Sequence, residues 1–208
     1  MLPHGRAKKE SVPKIVDHEE RRRELAAAVW RVISRDGMEG VSIRDVAAEA
    51  EWSPGALRHY FKTRDELLQF AARLVYERVY RRLADRRDAG TLTEAIRAIL
   101  AEVLPLDADR RTEAAIWLAF VSRGLVDESI ALEQQVAFSG LRDLCLRITR
   151  EVAQRGCLAP GLDPDQAATH LHALIDGLTL HLLLGKLAPE AALAVLDAYL
   201  ATIVHELT

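Results

Sequence analysis

The chain has 208 residues, half of them hydrophobic and 28% charged, so a sizeable core can be buried and disorder is excluded as the default. Its formal net charge of −3 argues at first sight against nucleic acid as partner, and two cysteines, Cys145 and Cys157, exclude a disulfide scaffold and fit a reducing compartment, the cytoplasm. No apolar run approaches the ~20 residues that span a bilayer, and Met1-Leu2-Pro3-His4-Gly5-Arg6 lacks the apolar stretch of a secretory signal.

Alanine and leucine supply roughly 30 residues each, a helix-former's composition. Residues 1–17 are polar, with Pro3, Gly5 and Pro13 among Arg6, Lys8, Lys9 and Lys14, and read as a flexible basic arm. From about Asp17, Leu25, Ala28, Val29, Val32 and Ile33 recur at helical spacing, and Gly37 ends that helix. In it Arg21-Arg22-Arg23 is mixed with Glu19, Glu20 and Glu24, the pattern of a paired helix face. Ser42 with Asp45 approximates an N-cap box for a short second helix. Ser53-Pro54 is an N-cap followed by proline at the first helical position, and opens a brief third helix to Tyr60. Thr63 with Glu66 predicts a full capping box and a long amphipathic helix to about Arg87.

Five further helices follow. Thr91 or Thr93 opens one that stops before Pro105. The next spans about Asp109 to Val121, interrupted by Gly124. A long one runs from about Glu128 to Gln154 and ends at Gly156. Asp163-Pro164 opens another to about Leu184, closed by Gly185, and Pro189 opens the last, to about Glu206. No useful strand-like alternation appears. The prediction is an all-α chain of about nine helices, with boundaries at 1–17, 18–66 and 67–208.

The average charge hides a split. Residues 1–87 carry 19 basic and 14 acidic side chains, a net +5, and residues 88–208 carry 9 and 17, a net −8. A basic N-terminal piece is the usual footprint of nucleic-acid binding, although charges on solvated helix faces also fluctuate. Three short helices, the second and third joined by a tight turn, follow the helix-turn-helix plan. Counting from Ile43, the fifth position, where the helices cross, is Ala47. The fourth, eighth, tenth, fifteenth and eighteenth are apolar: Val46, Ala50, Trp52, Leu57 and Tyr60. The ninth, where a turn favours a positive φ, is Glu51 rather than glycine.

On these residues the stretch from about Arg23 to Leu68 resembles the DNA-binding domain of the TetR family of bacterial transcriptional regulators. The resemblance is carried by Gly37-Met38, by Val41-Ser42-Ile43-Arg44-Asp45-Val46-Ala47, by Ser53-Pro54-Gly55-Ala56-Leu57-Arg58-His59-Tyr60-Phe61, and by Lys62-Thr63-Arg64-Asp65-Glu66-Leu67-Leu68. The His59-Tyr60-Phe61 form is closest to the betaine and choline-responsive branch. Trp117-Leu118-Ala119-Phe120 and Asp176-Gly177-Leu178 resemble that branch's companion domain more weakly.

The resemblance implies DNA contacts at matching positions. Ser42 and Ser53 present helix N-caps to phosphates, and Arg44 meets a phosphate or a guanine edge. Pro54, Gly55 and Ala56 are small enough for close docking in the major groove, with Ala56 against a thymine methyl, and Arg58 reads guanine. His59, Tyr60, Lys62 and Arg64 contact phosphates, and Thr63 presents a second helix N-terminus. Leu57 and Phe61 read as core, Tyr60 as core with a polar tip, and Lys62 alternatively as a merely solvated lysine. The arm residues Arg6, Lys8 and Lys9 enter a minor groove or belong to an idle tail.

The same resemblance implies a homodimer through the last two helices on near-palindromic double-stranded DNA, and an effector pocket among the central helices. Both last helices carry too many apolar residues for one buried stripe. Glu113 lies one turn before Trp117, and a carboxylate beside an indole suits a small cationic effector. Trp117 and Phe120 are candidate walls, Trp117 alternatively simply core. His172 and Asp176, one turn apart, are further candidates, or satisfied polar residues together with His170 and His181. They fall short of a metal site, and no metal or cofactor is expected. The function implied is a ligand-released repressor. Two other classes compete: a helical scaffold with a degenerate DNA-binding head, and a helical enzyme. For the enzyme the sequence offers no HExxH, Gly-rich phosphate loop, Cys-His cluster or GxSxG.

Overall fold

The computed structural model describes residues 18–37, 40–86, 90–124 and 128–205, with the side chains of 18–20, 23, 120, 123–124 and 128–138 left out of that description. The arm residues Arg6, Lys8 and Lys9 therefore lie outside the described residues. Nine helices stand among those described: α1 His18–Asp36, α2 Ile43–Glu49, α3 Pro54–Arg58, α4 Arg64–Ala84, α5 Leu92–Ala101, α6 Ala108–Gly124, α7 Glu128–Gln154, α8 Pro164–Leu183 and α9 Pro189–Ile203. No strand occurs among the described residues beyond one isolated bridge, Leu158 to Val204.

The helix starts follow their caps. Ser42, Ser53 and Thr63 accept the amides of Asp45, Ala56 and Glu66, three residues on. Thr91 and Glu94 form the reciprocal capping box. The box expected at Thr63 differs: Glu66 reaches past Thr63 and accepts the Lys62 amide at 2.6 Å. Asp163 accepts two amides at the start of α8.

Some ends differ from the sequence reading, each for a local reason. α3 stops at Arg58 because the amides of His59 and Tyr60 turn to the carbonyls of Ala56 and Leu57, the tighter closure that ends short helices. α4 ends at Ala84, three residues early. α6 carries through to Gly124. α9 ends at Ile203, because Val204 is extended at φ −111° and pairs with Leu158, and the His205 amide donates to Cys157 at 2.7 Å.

Two cores organise the helices. The first collects Leu25, Val29 and Val32 of α1, Val46 and Ala47 of α2, Leu57 of α3, and Leu67, Leu68, Phe70 and Ala71 of α4. Ile116 of α6 joins it from the other half of the chain. The second core packs Leu100 of α5, Cys145 and Ile148 of α7, Leu171, Ile175 and Leu182 of α8, and Leu196 and Leu200 of α9. Each wholly buried leucine contributes about 1.5–3 kcal/mol of transfer free energy. The opening turns of α4 thus belong to the first core, while its later turns run past α6.

The turn between α2 and α3 places Glu51 at φ +58°, the one positive-φ residue other than glycine among those described. The Trp52 amide then closes onto Ala47 at 2.8 Å. A left-handed backbone costs a residue with a Cβ about 1–2 kcal/mol, partly offset because glycine leaves a more flexible unfolded chain. Glu51→Gly is expected to stabilise the protein by up to about 1 kcal/mol, read as a raised urea midpoint at constant slope. A lowered midpoint would contradict the strain.

Candidate nucleic-acid interface and ligand cavity

α3 is five residues long and stands on the protein surface. Ser53, Pro54, Gly55 and Arg58 are exposed, Ala56 is half-buried and Leu57 is buried. Small residues therefore face outward at the start of the helix, with a guanidinium one turn on. Gly55 has only the Ser53 hydroxyl within 4 Å of where a Cβ would sit, so its lack of a side chain matters for what docks outside rather than for packing inside. Arg44 of α2 is exposed, as are His59, Lys62 and Thr63 beyond α3. Ser53 and Thr63 cap the starts of α3 and α4, and the partial positive charge of such helix N-termini favours anions.

Beyond the capping by Ser53 and Thr63, three members of the set are engaged within the protein. The Ser42 hydroxyl meets the Asp45 carboxylate as well as capping α2. Arg64 is half-buried and its Nε donates to the Val41 carbonyl at 2.8 Å, so it ties α4 to the loop before α2. Tyr60 is 37% exposed and its ring lies 5.4 Å from that of Trp52, which itself receives the Arg21 guanidinium at 5.1 Å. The tyrosine body is held by an aromatic pair, as a core residue with an accessible tip would be. Leu57 and Phe61 are core.

A second feature lies between α4, α6, α7 and α8. A cavity of about 180 Å³ is lined mainly by apolar side chains, among them Val75 and Val79 of α4, Ile116 of α6, Leu144 of α7 and Ile175 of α8. Trp117, half-buried, lines it from α6. Tyr76 and Tyr80, not singled out in the sequence, line it from α4 with their rings stacked 6.4 Å apart at 17°. Their spacing of four on a helix was the available signal; in the fold a Cβ at Gly140 would meet the Tyr76 ring at 3.4 Å.

The acids of the cavity fall into two kinds. Glu113 is buried and lines the wall, but it is not the open carboxylate that the sequence suggested. Arg82 grips it with both terminal nitrogens, one at 2.6 Å, and Arg78 Nε approaches at 3.4 Å. The hydrogen bond to Glu113 holds the Arg82 guanidinium above even its ordinary range. Asp176 is half-buried and also lines the cavity. Burial pushes its carboxyl above the ordinary range, against a smaller opposing pull from His172. The His172 ring is buried 3.5 Å from Asp176, and Asp176 rather than His172 reaches the cavity. Burial, and then the Asp176 charge, push the Cys145 thiol up to about 12. The Phe120 side chain lies outside the described residues.

Among the described residues no three His, Cys, Asp or Glu side chains group as a metal site, and no helix is long and apolar enough to cross a membrane.

Two family profiles match the chain. "Bacterial regulatory proteins, tetR family" covers residues 25–71, and "BetI-type transcriptional repressor, C-terminal" covers residues 92–205. The chain is 42% identical over 176 residues to the HTH-type transcriptional regulator PksA of Bacillus subtilis, covering 83% of each protein. It is 32% identical over 200 residues to the HTH-type transcriptional regulator BetI of Burkholderia ambifaria, covering 91% of this chain and 96% of that one. Among solved structures, a transcriptional regulator from a Rhodococcus species superposes with a TM-score of 0.75 at 29% identity, over 90% of this chain and 99% of that one. A regulator from Saccharomonospora viridis, solved in complex with choline, superposes with a TM-score of 0.77 at 25% identity, over 90% and 100%.

Removing Arg82 leaves a buried carboxylate short of its main partner. Arg82→Ala is expected to cost about 2 kcal/mol of stability, measured by urea unfolding. A change within about 0.5 kcal/mol, the range of an ordinary surface substitution, would show that Glu113 is satisfied without it.

Proposed function

The chain belongs to the TetR family of bacterial transcriptional regulators and carries a BetI-type C-terminal domain, and from that premise we propose that it is a cytoplasmic homodimeric repressor, released from its operator by a small cationic effector. The domain reading that goes with this is a basic arm at 1–17, a DNA-binding head at 18–66 and an effector-binding and dimerising body at 67–208. A regulator of this kind works by binding, and we read no catalytic role into its side chains.

The observation that carries the DNA reading is the surface of α3. Pro54, Gly55 and Ala56 leave room for groove walls, and Arg58 projects from the same short helix. An exposed guanidinium fork fits the O6 and N7 of guanine. Arg44, His59 and Lys62, with the N-caps Ser53 and Thr63, flank it as phosphate contacts. Ser42, Tyr60 and Arg64 contribute through what remains after their internal bonds. The basic head sits on a chain of net charge −3, so DNA is attracted locally rather than by the whole molecule.

One short helix reads few bases, so two heads are needed, about 34–36 Å apart on a near-palindrome. Two exposed stripes support a dimer through α8 and α9. On α8 they are His170, Ala173, Gly177, Leu180 and His181, continued by its C-cap Leu184. On α9 they are Ala191, Ala194, Val195, Ala198, Ala201 and Thr202. Both follow a seven-residue spacing, carry no carboxylate, lysine or arginine, and offer small residues for close approach of two helix pairs. Leu184 is 61% exposed, which a monomer in water would leave as an unburied apolar surface.

For the effector, the cavity combines Trp117, Tyr76 and Tyr80 with the Asp176 carboxylate, the chemistry that holds a quaternary ammonium. The choline bound in the Saccharomonospora regulator supports the same class of ligand. Glu113 lines the same space while paired to α4. Phe120 and His172 remain candidates from the sequence.

Arg58→Ala is expected to erase discrimination at one base pair, by about 1–3 kcal/mol, whereas Lys62→Ala should weaken all sequences alike and lower the salt slope by about one. Gel shifts on a duplex enriched by the wild-type protein, with each base pair varied, separate the two. Equal weakening of all sequences by Arg58→Ala would make it a phosphate contact. Choline affinity, by calorimetry, is expected to fall at least tenfold in Asp176→Asn. In the wild type it should also fall as the pH drops from neutral, at a higher pH than an ordinary carboxylate would give. The sign follows from the chemistry: the cation needs the ionised acid, and burial makes that acid take up its proton sooner. A pH-independent affinity would remove Asp176 from the site.

A further inference from the structure

Arg78 and Arg82 lie four residues apart on α4 and so share one face, and Arg86 follows two residues beyond the helix end. Arg82 holds Glu113 of α6 by two bonds and Glu102, the cap of α5, by its Nε at 3.0 Å. Arg86 donates to the Ala98 carbonyl of α5 at 3.0 Å. Arg78 points the other way along the chain of contacts. Its guanidinium lies 4.1 Å over the ring of Trp30 in α1, and its nitrogens reach Asp109 at 3.3 Å and Glu113 at 3.4 Å.

We propose that Glu113, Arg78 and Trp30 form a relay that makes the DNA-binding head sense the state of the cavity wall, Glu113 acting as a positioning residue for α4 and α1. The proposal rests on reading the cavity as the effector site.

The geometry makes the relay short. Glu113 faces the cavity on one side and two arginines on the other. A cation entering beside it competes with those arginines for the same two oxygens. A weakened hold on Arg78 is felt directly at Trp30, because the guanidinium that lies over the indole reaches Glu113 through its Nε, at 3.4 Å. Ile116, one turn after Glu113, is buried in the head's core, so a shift of this part of α6 has a second point of contact with the same unit. Neither Glu113 nor Arg78 is among the DNA-facing residues.

The test uses the full chain without effector. Glu113→Gln removes the charge at nearly constant volume, and Arg78→Lys keeps a charge while losing the planar fork. Two readouts are taken: affinity for a duplex enriched by the wild-type protein, and amide hydrogen exchange in α1 with α9 as control. Glu113→Gln is expected to change DNA affinity about threefold or more and to speed exchange in α1 but not in α9. In the Arg78→Lys background both effects should shrink well below that, the signature of coupled residues. Trp30→Phe provides a second background with the same expectation. Additive effects in both readouts, or α1 exchange that Glu113→Gln leaves unchanged, overturn the relay. If the wild type enriches no duplex at all, the regulator reading fails, and exchange in α1 alone decides the relay.

Discussion

Much of this protein turns on one helix serving two cores. The first turns of α4 bury Leu67, Leu68, Phe70 and Ala71 with the DNA-binding head. Its later turns supply cavity wall through Val75, Tyr76, Val79 and Tyr80. A rigid rod shared in this way cannot be repositioned at one end without consequence at the other. The buried Glu113 carboxylate adds a directional constraint. It tolerates burial because Arg82 and Arg78 meet it, and this makes the α4 to α6 contact specific in rotation as well as in distance. An apolar contact would hold the helices together but allow more slip.

The head illustrates how little surface a reading helix needs. α3 contributes one buried leucine, Leu57, as anchor. Everything else on it is small or points outward. Its start is set by Ser53 and Pro54, its end by the tight closure onto Ala56 and Leu57. The turn before it carries a strained Glu51. That residue places an exposed negative charge in the turn that leads into α3.

The helices were legible in the sequence because their signals are local. Caps at Ser42, Ser53, Thr63, Thr91 and Asp163, and glycines such as Gly37 and Gly185 at positive φ, marked starts and stops. The turn at Glu51 was also legible, since the helix-turn-helix register demands a left-handed residue there. The ends that moved, at Ala84, Gly124 and Ile203, depend on what each helix meets in space. The strand-like pairing of Val204 with Leu158 joins residues far apart in the chain, and no local pattern announces it. The cavity was the least legible part. Trp117 and Asp176 were named, but the partners of Glu113 lie 31 residues away for Arg82, and only folding reveals that this acid is spoken for. The four-residue spacing of Arg78, Arg82 and Arg86 was visible in the sequence and unread, because arginines on a helix face usually meet only water.

The central claim is that a basic head, held by α4 on an acidic dimerising body, reads DNA as a pair. An equilibrium titration of a duplex enriched from random sequence tests it most directly, with stoichiometry and affinity read together. The account predicts two protomers per duplex, a near-palindromic sequence, and binding at least about a thousandfold tighter than to unrelated duplex at moderate salt. Binding without sequence preference at any salt concentration, or saturation at one protomer per duplex, would contradict it.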